Sequence, residues 1–174
     1  MKPPGAVRLQ ARITGVSEAL RQCAAHHRHL PRCAGGLVGV EVIRRDTRWP
    51  VAWGIIGRPV SRYLQADGWV EYSRGIVPDG APPNCASVLL GAAARWAADQ
   101  GAPIVTYTLA HEPGVSLRAA GWALVGATPA AQWTRESRSR KSRAGVVVLG
   151  KLRWVSAASL PAALSRGWAI MERI

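Results

Sequence analysis

Between Gly75 and Gly126 the sequence alternates strand, loop and helix signals almost without interruption, and this stretch constrains the fold more than any other. Trp69 to Val77 is rich in aromatic and β-branched residues and reads as a strand, broken by Pro78, Asp79, Gly80, Ala81, Pro82 and Pro83. Asn84 is a favourable capping residue. Behind it, Cys85 to Gln100 places Val88, Leu89, Ala92, Trp96 and Ala97 on one helical face before Gly101 stops the helix. Pro103 to Leu109 is a second short strand. After Glu112, Pro113 and Gly114 a short helix runs through Ser116 to Ala120 and ends at Gly121, and Trp122 to Gly126 is the next strand.

A helix that begins directly after a strand and a small-residue loop offers unpaired backbone N–H groups and the positive end of its dipole. A phosphate or pyrophosphate is therefore expected at Asn84, Cys85, Ala86 and Ser87, with Ile76, Val77 and Gly80 beside it.

The order of these elements resembles the core of the GNAT acyltransferase superfamily, and the Gly121–Trp122 pair resembles the Gly-aromatic step after the last helix of those enzymes. More narrowly, the chain is similar to Mom-like GNAT proteins of phages and prophages, some of which modify DNA bases. The shared pieces are HHRH from His26, GIIGRPVSR from Gly54, NCAS from Asn84, TYTL from Thr106 and SLRAAGW from Ser116, and the resemblance as a whole covers roughly His26 to Arg143. The resemblance implies a mixed, mostly antiparallel α/β sheet flanked by helices, with a V-shaped cleft between two central strands. It also implies acetyl-CoA or another acyl donor. Two departures stand out: the loop PDGAPPNCAS lacks the usual pair of spaced glycines, and Leu117 stands where many members carry a tyrosine that protonates the departing thiolate.

The chain of 174 residues, 48 % of them hydrophobic, suits one domain with a real core. We expect that domain over 1–150, with 151–174 as an extension that packs on it or on a partner. Lys and Arg number 23 against 10 acids, a formal charge of +13, and this favours a polyanionic partner, with DNA first. Arginine-rich composition can also follow from genome base content. The three cysteines, Cys23, Cys33 and Cys85, show no CxxC spacing, so neither a disulfide framework nor a zinc ribbon is signalled. No apolar signal core or membrane-length run is present, so a cytoplasmic protein without membrane association is expected.

Val7 to Ile13 reads as the first strand and Ser17 to Ala25 as a helix that runs into His26, His27, Arg28 and His29 before Pro31. His26 and His29 are three residues apart and share a face, so both could reach a substrate, hand on a proton, or hold a metal. They could equally be a solvated helix end. Leu37 to Arg44 and Val51 to Ile56 form a hairpin about Arg45, Asp46 and Thr47. Gly57 to Gly68 is too polar for core, and Arg58 and Arg62 are expected to project from it as an arm that touches phosphates or simply meets solvent.

On the strand before the cradle, strict alternation puts Glu71, Ser73 and Gly75 on one face and Tyr72, Arg74 and Ile76 on the other. By the resemblance, Glu71 occupies the place of the glutamate that takes the acceptor's proton; an edge ion pair is the alternative. Tyr107 points opposite to Thr106 and Thr108, and it or Thr108 could bond an acyl carbonyl, or Tyr107 could be core. Ser116 joins them at the cradle's mouth. Trp133, Arg135, Arg138, Arg140, Lys141 and Arg143 form a basic loop suited to backbone phosphates and a stacked base, or to solvent. Ala157 to Met171 is a weak helix interrupted by Pro161 and Gly167, and this tail packs on the sheet or pairs with a second copy in a homodimer.

Three functions follow. The first is transfer of an acyl or acyl-derived group to a base amine of nucleic acid. The second is acyl-CoA-dependent N-acetylation of a small molecule or protein, and the third is non-catalytic DNA binding on the same scaffold.

Overall fold

The computed structural model describes residues 7–26, 33, 35–128 and 150–172. Seven strands make one sheet: β1 (Leu9–Thr14), β2 (Val38–Arg44), β3 (Pro50–Gly57), β4 (Val70–Ile76), β5 (Ile104–Leu109), β6 (Trp122–Thr128) and β7 (Lys151–Ser156). Their order is β1-β2-β3-β4-β5-β7-β6, and every neighbouring pair is antiparallel except β4 and β5. The mixed, mostly antiparallel α/β sheet flanked by helices is the architecture the sequence leads one to expect.

The helices are α1 (Val16–His26), α2 (Arg62–Ala66), α3 (Cys85–Asp99), α4 (Val115–Ala119) and α5 (Leu160–Ser165). The largest core joins α3 and α4 to one face of the sheet, through Leu89, Ala93 and Ala97 of α3, Leu117 of α4, and Val40, Ile104 and Trp154 of the strands. On the other face α1 packs Ala19 and Cys23 on Trp53, Ile55 and Ile76. There too, Leu64 of α2 and Ala163 of α5 cover Trp69, Val105, Val125 and Val155. No helix among the described residues is long and apolar enough to cross a membrane.

The β2–β3 hairpin turns at Arg45–Thr47 as its residues dictate. There the Arg44 guanidinium donates to Asp46 at 2.7 Å, and the Thr47 N–H adds a second bond. These hold the Asp46 carboxyl down at about 2.

Four local expectations need correction. First, strict alternation along β4 fails, because Ile55 faces Arg74 and Ile56 faces Tyr72, leaving Ser73 as the extra residue of a β-bulge. Tyr72 therefore packs with the α3 side of the sheet, whereas Ile76 packs with α1 on the opposite side. Second, the Gly57–Gly68 arm is anchored, since its Leu64 and Pro59 are buried and Ser61 caps α2. Third, Pro161 does not interrupt a helix but sits in the first turn of α5, where a missing N–H costs nothing. Fourth, Asn84 adopts the left-handed conformation at φ 69° and makes no side-chain cap.

The segment from Lys151 supplies an interior strand. β7 lies between β5 and β6 and buries Trp154 beneath α4. Strand Val146–Leu149, read from the sequence, lies outside the described residues.

Candidate active site

The parallel pair β4 and β5 is joined at only two rungs, Val70 with Ile104 and Glu71 with Val105. Past them the Thr106 hydroxyl donates to the Tyr72 carbonyl at 2.7 Å, and the strands then diverge. The bulge at Ser73, whose hydroxyl donates to the Ile55 carbonyl at 3.2 Å, bends β4 away from its neighbour. The facing edges beyond the split have lost each other as ladder partners and are free to bond a guest.

The opening is a cleft of about 800 Å³. Residues of both faces of the sheet line it: Tyr72, Leu89, Leu90 and Leu117 from the α3 side, and His26, Arg74, Tyr107 and Lys151 from the other. The cleft thus passes through the sheet at the split.

At one end stands the start of α3. Val88 N–H bonds the Asn84 carbonyl, and the Ser87 hydroxyl donates to that same carbonyl at 3.0 Å. With no side-chain cap from Asn84, the first N–H groups of α3 lack the usual partner and remain available to an anion. Ile76, Val77, Gly80 and Ala86 line the cleft. Asn84 is exposed, Ser87 is half-buried, and Cys85 turns its side chain into the core, where burial pushes the thiol up; none of these three is on the wall.

Ser116 and Tyr107 also face the cleft. Burial raises the Tyr107 hydroxyl above its usual range, although Arg153, which hydrogen-bonds it, pulls the other way. Tyr107 therefore keeps its proton at neutral pH and can donate it. Thr108, its neighbour, accepts from the Trp154 indole at 3.0 Å. Glu112 lines the mouth and is held by the Leu109 N–H at 2.8 Å. His111 is exposed.

Glu71 lies at the last rung before the split, behind the wall. Its carboxylate accepts from the Val60 N–H at 3.2 Å. Burial raises its pKa, and the Val60 N–H, Lys151 and Arg74 pull against that rise without cancelling it. A carboxylate shifted in this direction suits general-base work.

His26, the last residue of α1, is on the wall and exposed, while His29 lies outside the described residues. Among the described residues no group of three His, Cys, Asp or Glu could hold a metal. Arg58 and Arg62 are exposed on the α2 arm and do not line the cleft. Trp133, Arg135, Arg138, Arg140, Lys141 and Arg143 lie outside the described residues. Two cationic wall residues escaped the sequence reading of the site: Arg74, because the bulge sets its direction, and Lys151, which reaches the cleft only through the non-local insertion of β7.

No family model and no curated protein matches the sequence. Among solved structures, the chain is similar to a spermidine N-acetyltransferase chimera from Vibrio cholerae and hSSAT, at 12% identity over 87% of this chain and 96% of that chain, with a TM-score of 0.58. It is also similar to a Drosophila melanogaster polyamine N-acetyltransferase that forms N-acetylagmatine (11% identity, 85% of this chain, 99% of that chain, TM-score 0.57). A third is the ribosomal-protein-S5-alanine acetyltransferase of Vibrio fischeri (8% identity, 85% of this chain, 92% of that chain, TM-score 0.55). With its split parallel pair and these neighbours, the chain has the GNAT fold.

Proposed function

We propose that this protein is an N-acyltransferase that moves an acyl group from a CoA thioester to an amine. The observation that carries the reading is the split between β4 and β5, opened at Tyr72 and Thr106 into a cleft that runs from the uncapped start of α3 through the sheet. In this reading the α3 N–H groups hold the donor's pyrophosphate and the open edges of β4 and β5 hold its arm. Attack forms the C–N bond and breaks the C–S bond. Glu71 takes the amine proton, and Tyr107 or Ser116 donates to the departing sulfur in place of the tyrosine that Leu117 replaces. Leu117 itself lines the cleft, but its alkyl side chain has no proton to give. Most of the acceleration would come from positioning and from hydrogen bonds to the developing oxyanion.

The experiment is thiol release from acetyl-CoA in the presence of a panel of amines, with donor affinity measured separately by calorimetry. Saturable CoA binding with amine-dependent release supports the reading; absence of both sinks it.

A second reading concerns the acceptor. The formal charge of +13 favours an amine carried by nucleic acid. Nucleoside mass spectrometry of DNA and RNA from cells expressing the wild type and Glu71→Gln tests it. A new nucleoside mass present only with the wild type supports it, and unchanged nucleosides alongside acylation of small amines refute it.

A further inference from the structure

We propose that the acceptor is a phosphorylated amine, and that Arg74 and Lys151 hold its phosphate where the cleft opens on the α1 side of the sheet. The proposal rests on the acyl-transfer reading, since it names the acceptor of that same cleft.

Arg74 and Lys151 both stand on the cleft wall, and both act on the Glu71 carboxylate. Arg153 lies beside them, bonded to Tyr107 and stacked 4.2 Å from the centre of the Trp168 ring. None of these three cations forms an ion pair among the described residues. The Arg74 guanidinium spends Nη1 on its own neighbour, the Ser73 carbonyl, at 2.6 Å, while its Nε is buried with no partner. The Arg153 Nε is likewise buried and unpartnered.

A buried guanidinium donor without an acceptor is costly, and the cost is relieved when an anion arrives. The carboxylates on the wall do not fill that need. Glu112 is bound to the Leu109 N–H, and Asp79 lies in the loop after β4 with an interaction of its own. A doubly charged phosphate matches a recess in which Arg74 and Lys151 both act on one carboxylate, because guanidinium and ammonium groups bind phosphate oxygens by charge-assisted hydrogen bonds. A polycationic acceptor would be repelled by the same groups. The recess lies across the sheet from the start of α3, so donor and acceptor phosphates would have separate seats.

Two sources offer this chemistry, an aminoalkyl phosphate and a nucleotide whose base carries the amine, and matched pairs separate them. With the full chain and acetyl-CoA, kcat/KM is measured on ethanolamine against O-phosphoethanolamine and on deoxyadenosine against 5′-deoxyadenylate. The phosphorylated member of one pair is expected to be preferred by about tenfold or more, and Lys151→Gln and Arg74→Gln are each expected to remove most of that preference. Lys151 is exposed, so its variant reports on binding even where the Arg74 variant loses fold. Equal use of both members of each pair, or preference for spermidine, overturns the proposal. So does a loss in both variants confined to acetyl-CoA affinity, which would assign the cations to the donor. Titration with O-phosphoethanolamine and 5′-deoxyadenylate in the absence of donor is the second readout: binding weakened about tenfold in Lys151→Gln supports the recess, and no binding of either compound overturns it. If acetyl-CoA fails to bind and no amine is acylated, the transferase reading falls alone, and the titration still decides the recess.

Discussion

The Thr106 hydroxyl donates to the Tyr72 carbonyl at 2.7 Å, and the bond stands at the point where β4 and β5 stop pairing. It is buried and replaces the ladder bond that a continuous parallel pair would make. Thr106→Val keeps the shape and removes the donor, leaving a buried carbonyl unsatisfied, so we expect a loss of about 1–3 kcal/mol in chemical denaturation. Thr106→Ser retains the hydroxyl and is expected to lose less. Equal stability of the valine variant and the wild type would show that the split is held by something else.

Glu71 gives a prediction in pH. Burial raises its carboxyl, so the proton-accepting form is depleted as pH falls through a value above the ordinary 4.5. Under the proposed mechanism kcat/KM should fall on that acid limb, and Glu71→Gln should flatten the limb while lowering the plateau by about 10²–10⁴-fold. Stability runs the opposite way. A group whose folded pKa is raised contributes most below its unfolded value, and this contribution is lost as pH rises through the folded value. Glu71→Gln should therefore melt no lower than the wild type at neutral pH, and higher if the Val60 N–H still finds the amide oxygen. A variant that loses activity and stability together would mark Glu71 as structural.

Gly114 and Gly121 flank α4, and both have positive φ, 64° and 76°. A Cβ on Gly114 would lie 2.6 Å from a ring atom of Trp154, which is fully buried and bonded to Thr108, so the ring has nowhere to go. A Cβ on Gly121 meets nothing within 4 Å. Gly121→Ala should cost about 1 kcal/mol from backbone strain, whereas Gly114→Ala adds overpacking and should cost about 2–4 kcal/mol. Thermal denaturation of the two variants side by side checks the difference.

The contrast between those glycines also marks what the sequence could and could not convey. Gly101 and Gly121 punctuate helices by local conformation, and such local signals placed α3, α4 and the strands around them within a residue or two. Gly114 acts through Trp154, some forty residues away, and no local pattern announces that contact. The same holds for the faces of β4. Tyr72 lies over Gly54 and Gly75, where a Cβ would come within 2.9 Å of it, and the bulge that permits this arises from pairing with β3 rather than from composition. Of the wall residues, Tyr107 and Ser116 could be read from their neighbours along the chain. Lys151 could not, because β7 enters between β5 and β6 only in the folded sheet.

Asn84 joins a departure in sequence to a need in structure. The loop into α3 lacks spaced glycines, yet at Asn84 the backbone turns left-handed, a conformation that asparagine tolerates better than other residues with a side chain. Its φ of 69° aims the first N–H groups of α3, and its side chain leaves them uncapped. Asn84→Gly should therefore keep both fold and CoA affinity, with a stability change within about 0.5 kcal/mol. Asn84→Val should lose about 1–2 kcal/mol, because a β-branched residue resists positive φ, and should weaken CoA binding by more than it weakens binding of an acceptor. Melting curves and calorimetric titration with CoA read the two effects separately. Equal CoA affinity in the valine variant and the wild type would place the pyrophosphate elsewhere than at the start of α3.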